Sequence, residues 1–438
     1  MRTALTRIRQ KAQDEPKQTF TSLYHHVTNV DNLRQSFKAL KSGKAKGVDG
    51  VTKQKYAENL EENLESLSER LKAMSYKTQA KRRTYIPKPG SKKQRPLAIA
   101  CVEDKIVEQA VKTVLEAIYE ADFENSSYGY RPGRSQHECL DDLGRTIQQG
   151  KVNYVVEADI RSFFDQVNHE WMMKFLEHRI ADQRLLRLIK RLLIGGILED
   201  GLVKASTEGT PQGSILSPLL SNIYLHYVLD LWFRVRIKEP GRGEAHYFRF
   251  ADDFIACFQF KDEADQFMDR LKDRLEGFNL QLAEEKTQCL RAGRFARETE
   301  QKRGRKPKEF TFLGFTHYCG KTREGYFKLK RKTSRKSFQA ALRAFTEWVK
   351  TARVYLTKGQ MLQAARRKVI GHLQYFAIMD NSAKCRCFLY HCKWILRKWI
   401  NRKSQRKAYK KVADFLAALE HIDWPEVRIY RQLNPCRR

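Results

Sequence analysis

Apolar residues recur along the chain with two alternating periods, and the switches between them mark out its elements. Residues 20–75 carry helical spacing around a glycine-rich turn, Lys46-Gly47-Val48-Asp49-Gly50. RRTYIPKPGSKKQRPLAIA, residues 82–100, predicts a hairpin with a basic tip holding Pro87, Pro89 and Gly90. A helix is predicted from about Val102 to Tyr119, a loop at SYGYRPGRS (127–135), and a buried strand at VNYVVEADI (152–160) with Asp159 at its end. Residues 169–194 read as helix and GGILEDGLVKAS as a hairpin. GTPQGSILSPLLSNIYLHYVLDLWF (209–233) reads as a loop feeding an amphipathic helix. YFRFADDFIACFQF (247–260) returns to strand-like alternation, and 262–277 to helical spacing. RETEQKRGRKPKE (297–309) is a charged loop, TFLGFTHY (311–318) a strand, and from Ser334 basic helix runs to about Leu419. The order predicts an α+β domain with a small sheet, then an all-helical lobe, with no internal repeat.

One feature resists this pattern. Asp252 and Asp253 sit in the middle of an aromatic, strand-like run. Uncompensated charge beside apolar strand residues is costly, so a partner is required. Composition narrows what it is. The 84 Lys and Arg against 51 Asp and Glu leave a net charge of +33, a field that attracts polyanions, nucleic acid first among them. The excess is concentrated: residues 321–411 hold 26 basic and 3 acidic residues, +23 of the +33. With 438 residues the chain exceeds one ordinary core, and two to four lobes are expected.

Nine cysteines without disulfide-like spacing point to reduced thiols and a cytosolic setting. No apolar run reaches the roughly 18–20 residues of a membrane span. The segment MRTALTRIRQKAQDEPKQ has no signal-peptide core. Cys385, Cys387, Cys392 and His391 invite a zinc reading, but they lack paired Cys-x-x-Cys knuckles and fall in predicted helix, so apolar packing is expected there.

Asp159 ends one strand, and the Asp252–Asp253 pair follows 93 residues later at a hairpin tip. Adjacent strands would bring three carboxylates to one edge of the sheet, where mutual repulsion calls for metal. Nucleotide polymerisation needs such a site: two divalent cations about 3.5–4 Å apart, held by oxygen ligands. Alone, Asp-Asp also reads as a turn dipeptide.

The surrounding motifs decide between these. VVEADIRSFFDQVNH (155–169), GTPQGSILSPLLSNIYL (209–225), FADD (250–253), LQLAEEKT (280–287) and FTFLGF (310–315), preceded by AKGVDG, IPKPGSKKQRPL and SYGYRPGRS, resemble in order the motifs of group II intron-encoded reverse transcriptases and maturases. The likeness covers residues 30–330. GHLQYFAIMDN (371–381) and WILRKWINRKSQRK (394–407) extend it into the thumb and maturase region.

That resemblance implies a right-hand polymerase: an N-terminal extension over 1–80, fingers and palm over 81–320, a helical thumb or maturase domain over 321–420, and a short tail over 421–438 without an endonuclease. It implies catalytic Asp159, Asp252 and Asp253, with the Ile160 carbonyl joining them as ligand to two Mg²⁺ ions, Mn²⁺ being a substitute. Lys88 and Arg95, with Arg82 as a third candidate, would clamp the triphosphate; the Arg fork suits phosphate oxygens. Phe164 would reject a ribose 2′-hydroxyl, Gln212 would line the nucleotide and Lys286 would stand near the primer end. The alternative for Phe164 is a core aromatic beside Phe163, one of the two belonging to the core; the competing partners of Lys286 are Glu284 and Glu285. Lys393, Arg397, Lys398 and Arg402 would track a phosphate backbone.

The implied partners are intron RNA, an RNA template with a DNA primer, dNTPs and a DNA target, in a bacterial cytoplasm at or near the nucleoid. The competing functions are a domesticated relative in phage defence or repair, and a splicing cofactor acting mainly by binding RNA. Two letters depart from the family's habit: Phe250 stands where Tyr is usual, and Ser214 where a second Gly is usual.

Overall fold

The computed structural model describes residues 2–87, 94–204, 208–403 and 408–433. Its strands are β1 (Lys81–Pro87), β2 (Gln94–Ile99), β3 (Tyr154–Asp159), β4 (Ile197–Glu199), β5 (Leu202–Lys204), β6 (Ala245–Phe250), β7 (Asp253–Phe258), β8 (Gln288–Arg291), β9 (Phe310–Phe312), β10 (Phe315–Lys321) and β11 (Phe327–Thr333). They form three small sheets, ordered β2-β1-β4-β5, β6-β7-β3-β8 and β11-β10-β9. All pairings are antiparallel except β1 with β4. The chain is a mixed α+β protein.

The sheet β6-β7-β3-β8 carries the acidic residues. Phe254, Ala256 and Phe258 of β7 alternate into one core with Val156 and Ala158 of β3 and the Val102–Asp122 helix. Ile255 and Cys257 point the other way, into a second core beneath β10 and β11. With both faces covered, the central strands tolerate little polar substitution. Asp159 and Asp253 therefore lie at the ends of β3 and β7, two central strands, rather than on an edge strand.

The helices Arg335–Tyr355, Lys358–Phe376, Ser382–Ile400 and Val412–His421 enclose a third core around Val349, Met361, Leu373, Leu396 and Phe415. Cys385 and Cys392 are buried in it. Trp394 and Trp399, five residues apart, are both only partly buried. The basic helical segment thus folds as four helices with its own apolar centre.

Several local expectations change. TFLGFTHY is a hairpin, not one strand: Leu313 and Gly314 take φ of 49° and 80° and turn β9 into β10. Two left-handed residues in succession match the right-handed twist of the flanking strands. GGILEDGLVKAS is the predicted hairpin, and Asp200 and Gly201 close its β4–β5 turn the same way, a pair that suits two left-handed positions. The predicted 169–194 helix is two, because Asp182 caps the second by accepting from the Arg184 and Leu185 amides, while its other oxygen holds the Leu23 and Tyr24 amides. The Ser217–Leu225 helix is buried almost all round rather than amphipathic, since both neighbouring layers cover it. Part of the charged 297–309 loop is helical, Ala296–Lys302.

Candidate active site

β3 and β7 run in a register that sets Asp159 opposite Asp253. Phe250 also stands opposite Asp253, so only Ala251 and Asp252 remain for the β6–β7 turn. Ala251 reverses the chain at φ 59°, a region a β-carbon makes unfavourable. The reversal leaves Asp252 at the tip of the turn.

The turn is fastened from behind. Arg249 has no exposed surface and donates to both Asp230 oxygens at 2.7 and 2.5 Å, to Asn222 Oδ1 at 2.9 Å, to Ser127 Oγ at 2.8 Å and to the Ala251 carbonyl at 3.0 Å. Asn222 in turn donates to the Gly129 carbonyl at 2.7 Å. One guanidinium thereby ties β6, the 217–225 helix, the 127–131 loop and the acidic turn together. An alternating pattern marks Arg249 only as a strand position, and nothing local pairs it with Asp230.

In front of the turn opens a cleft of about 480 Å³ lined by Asp159, Ile160, Phe164, Arg95, Gln212, Asp252 and Lys286, with Tyr130 and Ser214 on its walls. The sequence-predicted residues thus converge from β2, β3, the Pro211–Gly213 loop, the β6–β7 turn and the Glu284–Lys286 turn. Phe163 is 1% exposed and belongs to the core, whereas Phe164 faces the cleft. Arg82 turns elsewhere: its guanidinium donates to the Lys46 carbonyl at 2.9 Å, fastening β1 to the Gly-rich turn. Lys88 lies outside the described residues.

On the other side of Asp159 and Asp253 a second cavity, of about 910 Å³, reaches past Lys286 and Leu313 to Arg335 and Lys336 at the start of the basic helical lobe. Asp253 opens to this side and Asp252 to the first.

Crowding governs the charges. The Asp253 side chain keeps exposed surface, yet the protein crowded around the end of β7 withdraws its carboxyl from bulk water and pushes it up to about 7, with Asp252 and Asp159 adding to the rise. Asp252 is raised as well, by burial and by Asp159, against the opposing pull of Arg95 and Lys286. Lys286 makes an ion pair with Asp159, and that contact raises its own pKa. Glu284 instead pairs with Lys272 and Glu285 with Arg161, so neither surface glutamate takes Lys286. The three aspartates carry more negative charge than Lys286 offsets.

The donors are carboxylate oxygens, with the Ile160 backbone beside them, the set that hard divalent cations take. Among the described residues no three acidic, His or Cys side chains close into a ready-made cage. Such open, oxygen-only surroundings suit Mg²⁺, which keeps waters and substrate oxygens in its shell.

The Pro211–Gly213 loop is built onto β2. The Gln212 carbonyl accepts from the Ala98 amide at 2.7 Å, and Gly213 at φ 110° has no room for a β-carbon beside the Ala98 carbonyl. Ser214, the departure noted above, is 8% exposed and its hydroxyl accepts from the Leu216 amide at 3.2 Å, so its side chain serves the helix start. The Ile215 amide donates to Glu108, which forms a buried ion pair with Lys81 at 2.8 Å. Phe250 packs at the rim of the second core, beside Leu313 and Tyr375.

The basic residues of the helical lobe separate into two kinds. Lys398 and Arg402 are exposed, Arg402 lying 5.1 Å from the Trp399 ring, which Arg353 and Lys350 also flank. Lys393 is partly buried. Arg397 donates to the Tyr409 and Lys410 carbonyls and so holds the following loop.

The segment that carries this cleft is similar in sequence to known proteins. The profile described as "Reverse transcriptase (RNA-dependent DNA polymerase)" matches residues 86–317. The group II intron-encoded protein LtrA of Lactococcus lactis subsp. cremoris is 36% identical over 247 residues, covering 56% of this chain and 41% of LtrA. Protein YkfC of Escherichia coli K12 is 33% identical over 313 residues, covering 63% of this chain and 81% of YkfC. Nuclear intron maturase 3, mitochondrial, of Arabidopsis thaliana is 28% identical over 144 residues, 32% of this chain and 20% of that protein. The chain therefore matches about two fifths of LtrA's length. No helix among the described residues is long and apolar enough to cross a membrane. The matched segment spans β1 tip to β10 and contains every aspartate of the cleft, and the chain belongs to the reverse transcriptase (RNA-dependent DNA polymerase) family.

Proposed function

We propose that this chain is an RNA-directed DNA polymerase of the group II intron type, extending a DNA primer along an RNA template and also binding intron RNA. The observation that carries the reading is the Asp159–Asp253 register with Asp252 at the turn tip, facing a cleft that also holds Arg95, Phe164 and Gln212. Asp159 and Asp252, with Asp253 beside them, are the residues to hold two Mg²⁺ ions, and the Ile160 carbonyl is a further ligand. When bound, such ions lower the pKa of a primer 3′-hydroxyl and neutralise charge on the triphosphate. The chain's own groups orient the reactants. Arg95 grips phosphate oxygens, Phe164 packs under the sugar where a 2′-hydroxyl would collide, and Gln212 lines the base side. Lys286 pairs with Asp159 and would stand near the primer end.

In right-hand terms, β1–β2 belongs to the fingers, β6-β7-β3-β8 is the palm, and the four helices after Ser334 are the thumb and maturase lobe. Support for intron RNA binding comes from the +23 carried by residues 321–411 and from relatives named as intron-encoded or intron maturases. An A-form duplex is recognised by shape and phosphate, so such a lobe needs no base contacts. The reading is tested by primer extension on an RNA template with Mg²⁺, alongside splicing of the intron RNA that flanks the coding sequence. Asp252→Ala should abolish cDNA synthesis and leave splicing intact. Undiminished cDNA synthesis by a folded Asp252→Ala protein would refute the assignment.

A further inference from the structure

Tyr130 combines three features rarely found together. Its backbone sits at φ 59°, a conformation that a bulky side chain seldom adopts. The residue is 50% exposed. Among the described residues the ring stacks on no other ring, and its hydroxyl takes no hydrogen bond. Neither ring stacking nor a hydroxyl hydrogen bond accounts for an aromatic residue here.

The loop around it leaves Tyr130 little freedom. The Tyr128 amide donates to the Arg249 carbonyl at 2.9 Å, and the Arg249 amide to the Ser126 carbonyl at 2.8 Å. Arg131 clamps the other flank, donating to the Glu124 and Ser127 carbonyls at 2.8 Å and pairing with Glu120 at 3.1 Å. Between them Gly129 lies so close to Ala251 that a β-carbon would overlap its backbone nitrogen. The close approach thus joins two left-handed residues, Ala251 directly and Tyr130 as the chain neighbour of Gly129. The surrounding bonds over-determine the loop, the condition under which backbone strain persists at a working site.

Position suggests the work. Tyr130 lines the 480 Å³ cleft with Arg95 and Asp252, and also a shallow groove running past Phe250 and Asp253 to Gly314. It stands at the junction of the two. If the first takes the incoming nucleotide and the groove leads towards the helical lobe, the ring meets the last base pair formed.

We infer that Tyr130 is an aromatic platform for the terminal base pair of the template–primer duplex, held in a strained backbone by the Arg249 and Arg131 anchors. The inference rests on the polymerase reading above. Aromatic–base stacking tolerates any sequence, which suits a surface that every template must pass.

The test uses the full chain with an RNA template annealed to a DNA primer. Tyr130→Ala and Tyr130→Gly are compared with wild type for duplex affinity without dNTP, for KM of dNTP, and for melting temperature. Both should weaken duplex affinity roughly 5- to 150-fold, the effect of losing one stacked base. Tyr130→Gly should melt at or above wild type, because glycine adopts φ 59° freely, and Tyr130→Phe should restore most of the affinity. A merely structural tyrosine would instead give Tyr130→Gly a lower melting temperature. Unchanged duplex affinity in both variants, or a loss confined to dNTP KM, would overturn the assignment. The affinity arm needs no turnover: wild type that binds and extends but ignores Tyr130 refutes this inference alone, whereas wild type without Asp252-dependent extension refutes the polymerase reading.

Discussion

Arg249 and Asp230 form an ion pair at 2.5 Å in which neither side chain is exposed, directly behind the Ala251–Asp252 turn. The pair is fully hydrogen-bonded, so its desolvation is offset, but either partner alone would be an uncompensated buried charge. Arg249→Met should cost about 3–5 kcal/mol of stability. Arg249→Lys keeps the charge yet cannot reach Asp230, Asn222, Ser127 and Ala251 together. It should retain more stability than Arg249→Met while still losing primer extension. Chemical denaturation followed by an extension assay checks both; full activity in folded Arg249→Lys would show that the turn holds itself.

Asp253 should be a residue whose loss stabilises the fold. Its folded-state pKa, about 7, lies above the value of a free aspartate, so the folded protein binds the proton more tightly than the unfolded chain. Stability contributed by this group is therefore present below the unfolded pKa and declines as pH rises from about 4 towards 7. Asp253→Asn removes the decline. Because Asp253 keeps exposed surface, solvent screens much of the effect, and the variant should melt only slightly above wild type at pH 8, with the gap closing as pH falls to 5, and should extend primers more slowly. Melting curves at both pH values decide it: a gap that widens on acidification contradicts the sign.

Adjacent phenylalanines should behave as different residues. Phe163 is buried against Phe164 and Tyr224, so Phe163→Ala should cost about 3–5 kcal/mol and reduce soluble protein. Phe164→Val should keep the melting temperature within a few degrees and raise incorporation of ribonucleotides relative to deoxynucleotides. Competition between rNTP and dNTP in single-nucleotide extension measures this, and an unchanged ratio would remove Phe164 from the sugar contact.

Phosphate contacts by the helical lobe should appear as salt dependence. Template–primer affinity should fall steeply with the logarithm of salt concentration, and Lys398→Ala and Arg402→Ala should each reduce the slope by about 1. Arg397→Ala should mainly lower the melting temperature, because Arg397 is committed to the Tyr409 and Lys410 carbonyls. Binding titrations across a salt series separate these effects. Affinity nearly independent of salt would exclude a phosphate footprint on this lobe.

Much was legible in the chain itself. The apolar run of 152–160 located β3, near-alternating polarity located the β6–β7 hairpin, and GGILEDGLVKAS located the β4–β5 hairpin, because strand pleat and turn backbone depend on neighbouring residues alone. Charge distribution singled out the helical lobe, and the order of short motifs singled out the family. The Leu313–Gly314 turn was missed because leucine gives no sign of a left-handed backbone.

Which of these residues meet is a matter of packing between distant segments. That Asp159 faces Asp253 follows from the β3–β7 register, set by which side chains of each strand are buried. That Lys286 takes Asp159, that Phe163 rather than Phe164 is core, and that Arg249 finds Asp230 follow from packing across separations that no local pattern spans. Local residue pattern dictates the elements and the chemistry placed at their ends. The fold determined the partners, because burial makes an unpaired charge costly and long-range packing selects the group that relieves it.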